Sequence, residues 1–293
     1  MIVITTPTGH VGSRLVHLLL ERGQELRVIV RDPDRLPSDV RARVDVVAGS
    51  HNDPAVLDRA LPGADALFWL VPPNPRAPSA HEHYLDFARA GAAAIRRHGV
   101  GHVVGITSAG HGWQRPAGVL SAAFAMDVEL AASGAAYRAL SMPYYMDNLL
   151  DQIDAVRQGS FSLTCPADRP LATVATGDIA AAAAELLIDR SWTGSADVPL
   201  FGPDRMTPDQ MAAVIAEEVG RPVVYRPMTL EDFAARLASY GVGAQTVQDL
   251  TEMFAAQDEG IYDEDWPRAQ VAPTDFRTWC RQVLAPSARD AAA

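Results

Sequence analysis

The sequence predicts an α/β chain: a doubly wound parallel sheet followed by a smaller, mostly helical lobe. Short apolar runs alternate with helix-period segments as far as Leu140, the pattern of strands buried on both faces by crossover helices. The chain has 293 residues, 48% of them hydrophobic, enough to bury a large core. A short Thr- and Gly-containing loop also joins the first strand to the first helix, at Thr6–Gly12.

The elements follow in order. Met1 to Thr5 reads as a strand, and with no basic region before it, it does not read as a signal peptide. Val11, Leu15, Leu18 and Leu19 recur at helical spacing and end at Gly23, a C-cap. Leu26 to Val30 is the second strand, closed by the polar turn Arg31–Asp34. Val44 to Ala48 is the third, and Asn52 or Asp53 caps a helix through Ala60, with Pro54 in its first turn. Ala66 to Val71 forms the fourth strand, followed by a helix over Ala80 to His98. Val103 to Thr107 is the fifth, ending at Ser108; a helix then runs to Ala132, and Tyr137 to Leu140 is the sixth.

Beyond residue 150 the chain is less regular and reads as the second, helical lobe, 151–286. Part of it is allowed to return to the sheet. Helices are expected from Asp178 to Asp189, Thr207 to Val219, Leu230 to Tyr240, Val247 to Gln257 and Phe276 to Val283, with a short strand at Val223 to Tyr225. Residues 287–293 are expected to be a disordered tail.

Composition narrows the chemistry. The net charge of −11 disfavours nucleic acid and anionic membranes as direct partners. No apolar run is long enough to span a bilayer, and Cys165 and Cys280 read as a reduced pair, so a cytoplasmic protein is expected. All 25 basic residues are arginine. Any mechanism that needs a lysine, as a Schiff base or to lower a tyrosine pKa, is therefore excluded. All eight histidines lie between His10 and His111.

The loop Thr5-Thr6-Pro7-Thr8-Gly9-His10-Val11-Gly12 aims backbone N–H groups and a helix N-terminus at one spot, which suits a pyrophosphate. Thr6, Thr8, Gly9, His10, Val11 and Gly12 are the candidate cofactor residues there, although Thr6 stands where the usual three-glycine fingerprint has its first glycine. About 20 residues past Gly12 comes the position that reads the ribose. Arg31 there would pair with a 2′-phosphate and favours NADP(H); NAD(H) is the alternative. Asp32 caps the following turn or meets the ribose. Val71 and Ser108, at later strand ends, complete the cofactor set of this Rossmann-type reading.

Several segments then resemble the NmrA-like family of atypical short-chain dehydrogenases/reductases. Thr8-Gly9-His10-Val11-Gly12 is similar to its T-G-x-x-G loop, Val30-Arg31-Asp32-Pro33 to its V-R-[DN]-P turn, and Ala64 to Phe68 to its G-V-D-A-V-F strand. Ile106 to Ala109, Leu140 to Asn148, Gly177 to Ala180 and Ala272 to Phe276 resemble its later motifs in order. The resemblance implies a Rossmann domain over 1–150, a substrate lobe after it, and either NAD(P)H-dependent quinone and azo reductase activity or redox sensing without turnover. The Tyr-x-x-x-Lys pair of classical short-chain dehydrogenases cannot be present without a lysine, and many NmrA-like proteins also lack it.

Hydride transfer needs orientation and a donor to the developing oxyanion. Ser108, His111, Tyr144 and Tyr145 are the candidates; each also reads as a local hydroxyl, a loop histidine or core aromatics. Trp113, Tyr144, Tyr145 and Asn148 are the candidate substrate contacts, with Trp69 and Met142 as possible cavity walls. His81 and His83 are two apart, not the i, i+4 spacing of a helical metal pair, so no metal is expected. The expectation is an NADP(H)-dependent oxidoreductase acting on a planar, quinone-like or aromatic polyketide-like molecule in secondary metabolism. The alternatives are a non-catalytic NAD(P) sensor acting through a regulatory protein partner, and a non-redox metabolite-binding protein or enzyme.

Overall fold

The computed structural model describes residues 1–289. The contacts divide these into two compact units, both discontinuous in sequence. The first holds Met1–Ser108, Val119–Ser141 and Ile179–Val198; the second holds Ala109–Gly118, Met142–Asp178 and the chain from Pro199 onward. A single boundary at 150 does not describe this division. The chain leaves the first unit at Ala109 and again at Met142, and returns to it at Ile179.

In the first unit the alternation read from the sequence is built as strands and helices. These are β1 (Ile2–Thr5), α1 (His10–Glu21), β2 (Leu26–Val30), α2 (Ser38–Arg41), β3 (Asp45–Ala48), α3 (Pro54–Ala60), β4 (Ala66–Trp69), α4 (Ala80–His98), β5 (His102–Ser108), α5 (Val119–Ala131) and β6 (Ala136–Met142). The expected cap at Asp53 forms, and Ser79 and Gly99 supply two more, for α4. Asp53 accepts from the Ala55 amide at 2.8 Å, and the Ser79 hydroxyl from the Glu82 amide at 3.1 Å. Gly99 closes α4 at φ 66°, a left-handed position where glycine carries no Cβ penalty.

β1 pairs in parallel with β2 on one side and β4 on the other, with Ile4 opposite Val28 and Phe68. The strand order is β6-β5-β4-β1-β2-β3, so the chain reverses direction across the sheet between β1 and β4. Ligands of such sheets bind outside the strand carboxyl ends at that reversal. The central strands β1 and β4 are buried along their whole length because both faces are covered, with Ile2, Ile4, Phe68 and Trp69 in the core.

The remaining elements are β7 (Tyr144–Tyr145), α6 (Ile153–Arg157), β8 (Ser160–Phe161), β9 (Leu171–Val174), α7 (Thr176–Ile188), β10 (Ser195–Phe201), β11 (Arg205–Met206), α8 (Pro208–Val219), β12 (Val224–Tyr225), α9 (Leu230–Ser239), α10 (Ala244–Asp258), β13 (Gln270–Val271), α11 (Phe276–Trp279) and α12 (Ala285–Arg289). β10 joins the large sheet beside β6, a strand the sequence reading left out. Its end pairs with β13, Leu200 opposite Gln270 and Phe201 opposite Val271. In the second unit β11, β9 and β7 make a small sheet, also unforeseen because two of them are only two residues long. Its core gathers Met146, Phe161, Met211, Phe276 and Trp279.

The expected tail from 287 is corrected as far as Arg289. Ser287 to Arg289 continue α12, with Arg157 donating to the Ser287 carbonyl at 2.7 Å and Arg289 to the Glu218 carbonyl at 3.2 Å. Residues 290–293 lie outside the described residues.

Candidate functional site

The loop after β1 is shaped by two residues. Thr6 has φ 50°, and among the described residues it is the one non-glycine in the left-handed region. A β-branched side chain there is strained. Thr6 therefore occupies the backbone conformation for which the fingerprint's first glycine is suited. Its carbonyl accepts from the Gly9 amide at 3.1 Å, closing the turn. Its hydroxyl is buried with no hydrogen-bond partner among the described residues. Gly12 is the second determinant: a Cβ there would meet the Thr6 carbonyl oxygen at 2.1 Å, so α1 can approach the loop this closely only with glycine. Gly9 caps α1 without a side-chain hydrogen bond, and the first turn carries no acidic residue. The helix N-terminus keeps its backbone donors and positive dipole end available for an anion.

Sheet pairing brings the other first-unit candidates to the same edge. The Thr5 hydroxyl donates to the Phe68 carbonyl at 3.1 Å and accepts from the Leu70 amide at 3.0 Å, tying the start of the loop to the segment leading to Val71. Val71 is buried and Arg31, after β2, is exposed. Asp32 turns away: its carboxylate accepts from the Asp34 amide at 3.1 Å and caps the next turn, leaving Arg31 as the charged side chain at the strand end. Ser108, half-buried, ends β5. Behind it the Thr107 hydroxyl donates to Asp127 of α5 at 2.6 Å, and the buried Tyr137 hydroxyl donates to the same carboxylate. Burial, then the Asp127 charge, hold the Tyr137 phenol well above its ordinary range, so it stays a donor.

Sequence reading overlooked His51. It is buried against Trp69, ring centroids 4.9 Å apart, and against Phe87 at 4.5 Å. Burial keeps its imidazole neutral down to about pH 3; the nearby charges of Arg31 and His83 act in the same direction, and a hydrogen bond to the backbone of Leu70 opposes them. Trp69 itself is fully buried and leans on Gly91, where a Cβ would meet its ring at 2.5 Å. It is a core residue, not a cavity wall. His83 bonds the Pro72 carbonyl at 3.0 Å.

The second unit carries the remaining candidates. His111 and Trp113 sit on the loop Ala109–Gly118, held at Gly110 by Asp265, which accepts from the Gly110 amide at 2.6 Å and is paired with Arg268 at 2.5 Å. Gly110 has φ 100°, and a Cβ there would press on Ile261 at 2.4 Å. Arg115 lies 4.2 Å over the Trp113 ring and pairs with Glu259. Tyr144 and Tyr145 form β7, both half-buried, and Asn148 is exposed. The Tyr144 phenol is pushed up, first by burial and then by Asp151, against a hydrogen bond from Asn148 that lowers it. Tyr144 also lines a small, shallow cleft with Arg169, Arg205, Tyr262, Asp263 and Trp266. None of those five was singled out from the sequence. They come from separate segments whose convergence leaves no spacing signal.

The order of the motifs, the reversed sheet and the glycine-dependent loop agree with one finding. A family model described as the NmrA-like family matches residues 1–279. The chain belongs to the NmrA-like family.

This NmrA-like chain is 27% identical over 264 residues to quinone oxidoreductase 2 of Escherichia coli (strain K12), covering 89% of this chain and 87% of the relative. It is 30% identical over 252 residues to the (4-alkanoyl-5-oxo-2,5-dihydrofuran-3-yl)methyl phosphate reductase of Streptomyces griseus subsp. griseus, covering 81% and 80%. Among solved structures it is similar to the Citrobacter sp. triphenylmethane reductase complexed with NADP(H), at TM-score 0.80 and 20% identity over 96% of this chain and 99% of the other.

In the NmrA-like chain two of the later motifs turn out to be clamps. Asp147 accepts from the Thr176 amide at 3.0 Å and its hydroxyl at 2.5 Å, joining the segment before Asn148 to the start of α7. Asp178 does the same for Thr274, at 3.0 Å from the amide and 2.8 Å from the hydroxyl. Each motif aspartate thus satisfies the backbone donor of a threonine distant in sequence.

Proposed function

We propose that the protein is an NADP(H)-dependent oxidoreductase that reduces a flat, conjugated small molecule. The observation that carries the reading is the loop between β1 and α1. Its glycine-dependent closeness, its orphaned buried Thr6 hydroxyl and the uncapped α1 N-terminus form a cradle that fits a dinucleotide pyrophosphate. Arg31, exposed after β2 with the neighbouring Asp32 turned to its own cap, supports the choice of a 2′-phosphate over a free ribose hydroxyl. The relatives add support, since their names describe reductases of a quinone and of an unsaturated lactone phosphate, and the Citrobacter enzyme was crystallised with NADP(H).

Bound NADPH would supply the hydride. The chain's own residues would hold the pyrophosphate at Thr6, Thr8, Gly9, His10, Val11 and Gly12, and the 2′-phosphate at Arg31, with Val71 and Ser108 at the neighbouring strand ends. With no lysine in the sequence, proton donation falls to other groups. Ser108 is the first unit's candidate; His111, Tyr144 and Tyr145 are the second unit's. Trp113 and Asn148 would contact the substrate. The Tyr144 phenol, held protonated by burial, suits hydrogen bonding to a developing oxyanion better than release of a proton.

The test is a titration with NADPH followed by its fluorescence, then oxidation of NADPH with 1,4-naphthoquinone as acceptor. Saturable binding and quinone-dependent oxidation are expected. The absence of a fluorescence change up to about 1 mM NADPH overturns the reading. Tight binding without turnover on any quinone moves it to a sensor.

A further inference from the structure

We infer that Asp265 is a positioning residue for the loop Ala109–Gly118: its carboxylate, braced by Arg268, grips the Gly110 amide and so fixes where His111 and Trp113 stand. This deepens the reading above and rests on it for the role of His111 and Trp113 toward substrate.

Asp265 is a costly place for a charge. Only 5% of its side chain is exposed, and a carboxylate leaves water at a penalty unless its oxygens are satisfied. Here each oxygen has its own partner. Oδ1 accepts from Arg268, from Nε at 3.0 Å and from Nη2 at 2.5 Å. Oδ2 accepts from the Gly110 amide at 2.6 Å. The arginine is three residues away and keeps 47% of its side chain in solvent, so it neutralises the charge from within the same turn. The second oxygen instead reaches a residue 155 positions away in the chain. A hydrogen bond from a backbone N–H to an ionised acceptor is shorter and stronger than a neutral one.

The grip falls at the head of the turn that carries both candidates. The Trp113 amide donates to the Gly110 carbonyl at 2.9 Å, closing the turn with His111 inside it. Holding Gly110 therefore holds the turn. Further along, Arg115 stacks on the Trp113 ring and pairs with Glu259, but those side chains are 59% and 51% exposed, and ion pairs at that exposure add little. The loop ends at Gly118, where a Cβ would lie 1.8 Å from the Asp249 carbonyl oxygen of α10. Any nearby carbonyl could satisfy a buried amide. A charged side chain braced by its own arginine adds stiffness, which matters where a proton donor and an aromatic contact must be presented in one geometry.

The test is hydrogen–deuterium exchange of the full chain, read by mass spectrometry over residues 109–118 in the parent, D265A, D265N and R268Q. D265A should speed exchange there at least about tenfold and leave the β1–α1 segment unchanged. D265N keeps an oxygen for the amide and should restore most of the protection. R268Q removes the brace alone and should give an intermediate rate; these two variants carry the test if D265A does not fold. On the same samples, D265A should lower kcat/KM for 1,4-naphthoquinone at least about tenfold, with NADPH affinity by fluorescence unchanged, and D265N should recover most of the loss. Unchanged exchange in every variant overturns the latch. Faster exchange with unaltered quinone kinetics, or with NADPH affinity falling in step, overturns the positioning role. A parent that turns over no quinone defeats the reductase reading, and the exchange result then upholds or overturns the latch by itself.

Discussion

The Thr6 carbonyl oxygen occupies the space into which a Cβ on Gly12 would project, 2.1 Å from that carbon. The loop and the first turn of α1 are therefore locked together by the lack of a side chain at one residue. That lock makes the cradle testable at single-residue resolution.

Gly12→Ala should force the loop and helix apart. Overpacking of this kind costs about 1–3 kcal/mol. Thermal unfolding should show the loss, and NADPH affinity, read by fluorescence titration, should fall at least tenfold. Unchanged affinity would remove the loop from the cofactor site.

Thr6→Gly should act in the opposite sense on stability. It relieves a left-handed β-branched residue, worth roughly 1–2 kcal/mol, and removes a buried hydroxyl without a partner. The gain is reduced by the greater freedom of glycine in the unfolded chain. A net rise of a few degrees in Tm is expected; a clear fall would show that the hydroxyl has a stabilising role.

Arg31→Ala should discriminate between the two nicotinamide cofactors. Loss of a charge-assisted hydrogen bond of about 1.5–3 kcal/mol would weaken NADPH binding about 10- to 100-fold and leave NADH nearly unchanged. Equal losses for both would place Arg31 away from a 2′-phosphate.

His51 sets a pH dependence. Its folded pKa is lowered to about 3 from an ordinary value near 6.5, so unfolding takes up a proton at any pH between those values. Its contribution is fully present above pH 6.5 and declines as pH falls towards 3, amounting to a few kcal/mol over the range. His51→Leu keeps an apolar body against Trp69 and Phe87. Urea unfolding of this variant should vary less between pH 7 and pH 5 than the parent. An identical slope would show that His51 titrates normally.

The fold was legible in the sequence where local chemistry acts alone. Asp53 with Pro54 and Thr207 with Pro208 each announced a helix start that the structure builds. β10 went unread, because its exposed start, Ser195-Ala196, carries no strand signal before it joins the sheet. Trp69 was readable as apolar, but whether it faced a cavity or the core depended on His51, Phe87 and Gly91, three residues remote from it in sequence.

The sequence by itself determined the alternation of strands and helices, the glycine loop, the arginine at the end of β2 and the absence of any lysine. Each is a local or compositional property, set by periodicity, backbone freedom or side-chain chemistry. The tertiary structure decided that Thr6 would carry a glycine's conformation, that Asp147 and Asp178 would clamp Thr176 and Thr274, and that Arg169 and Arg205 would meet across Asp263 beside Trp266. Those relations join segments many residues apart, and only the packing that brings the segments together can fix them.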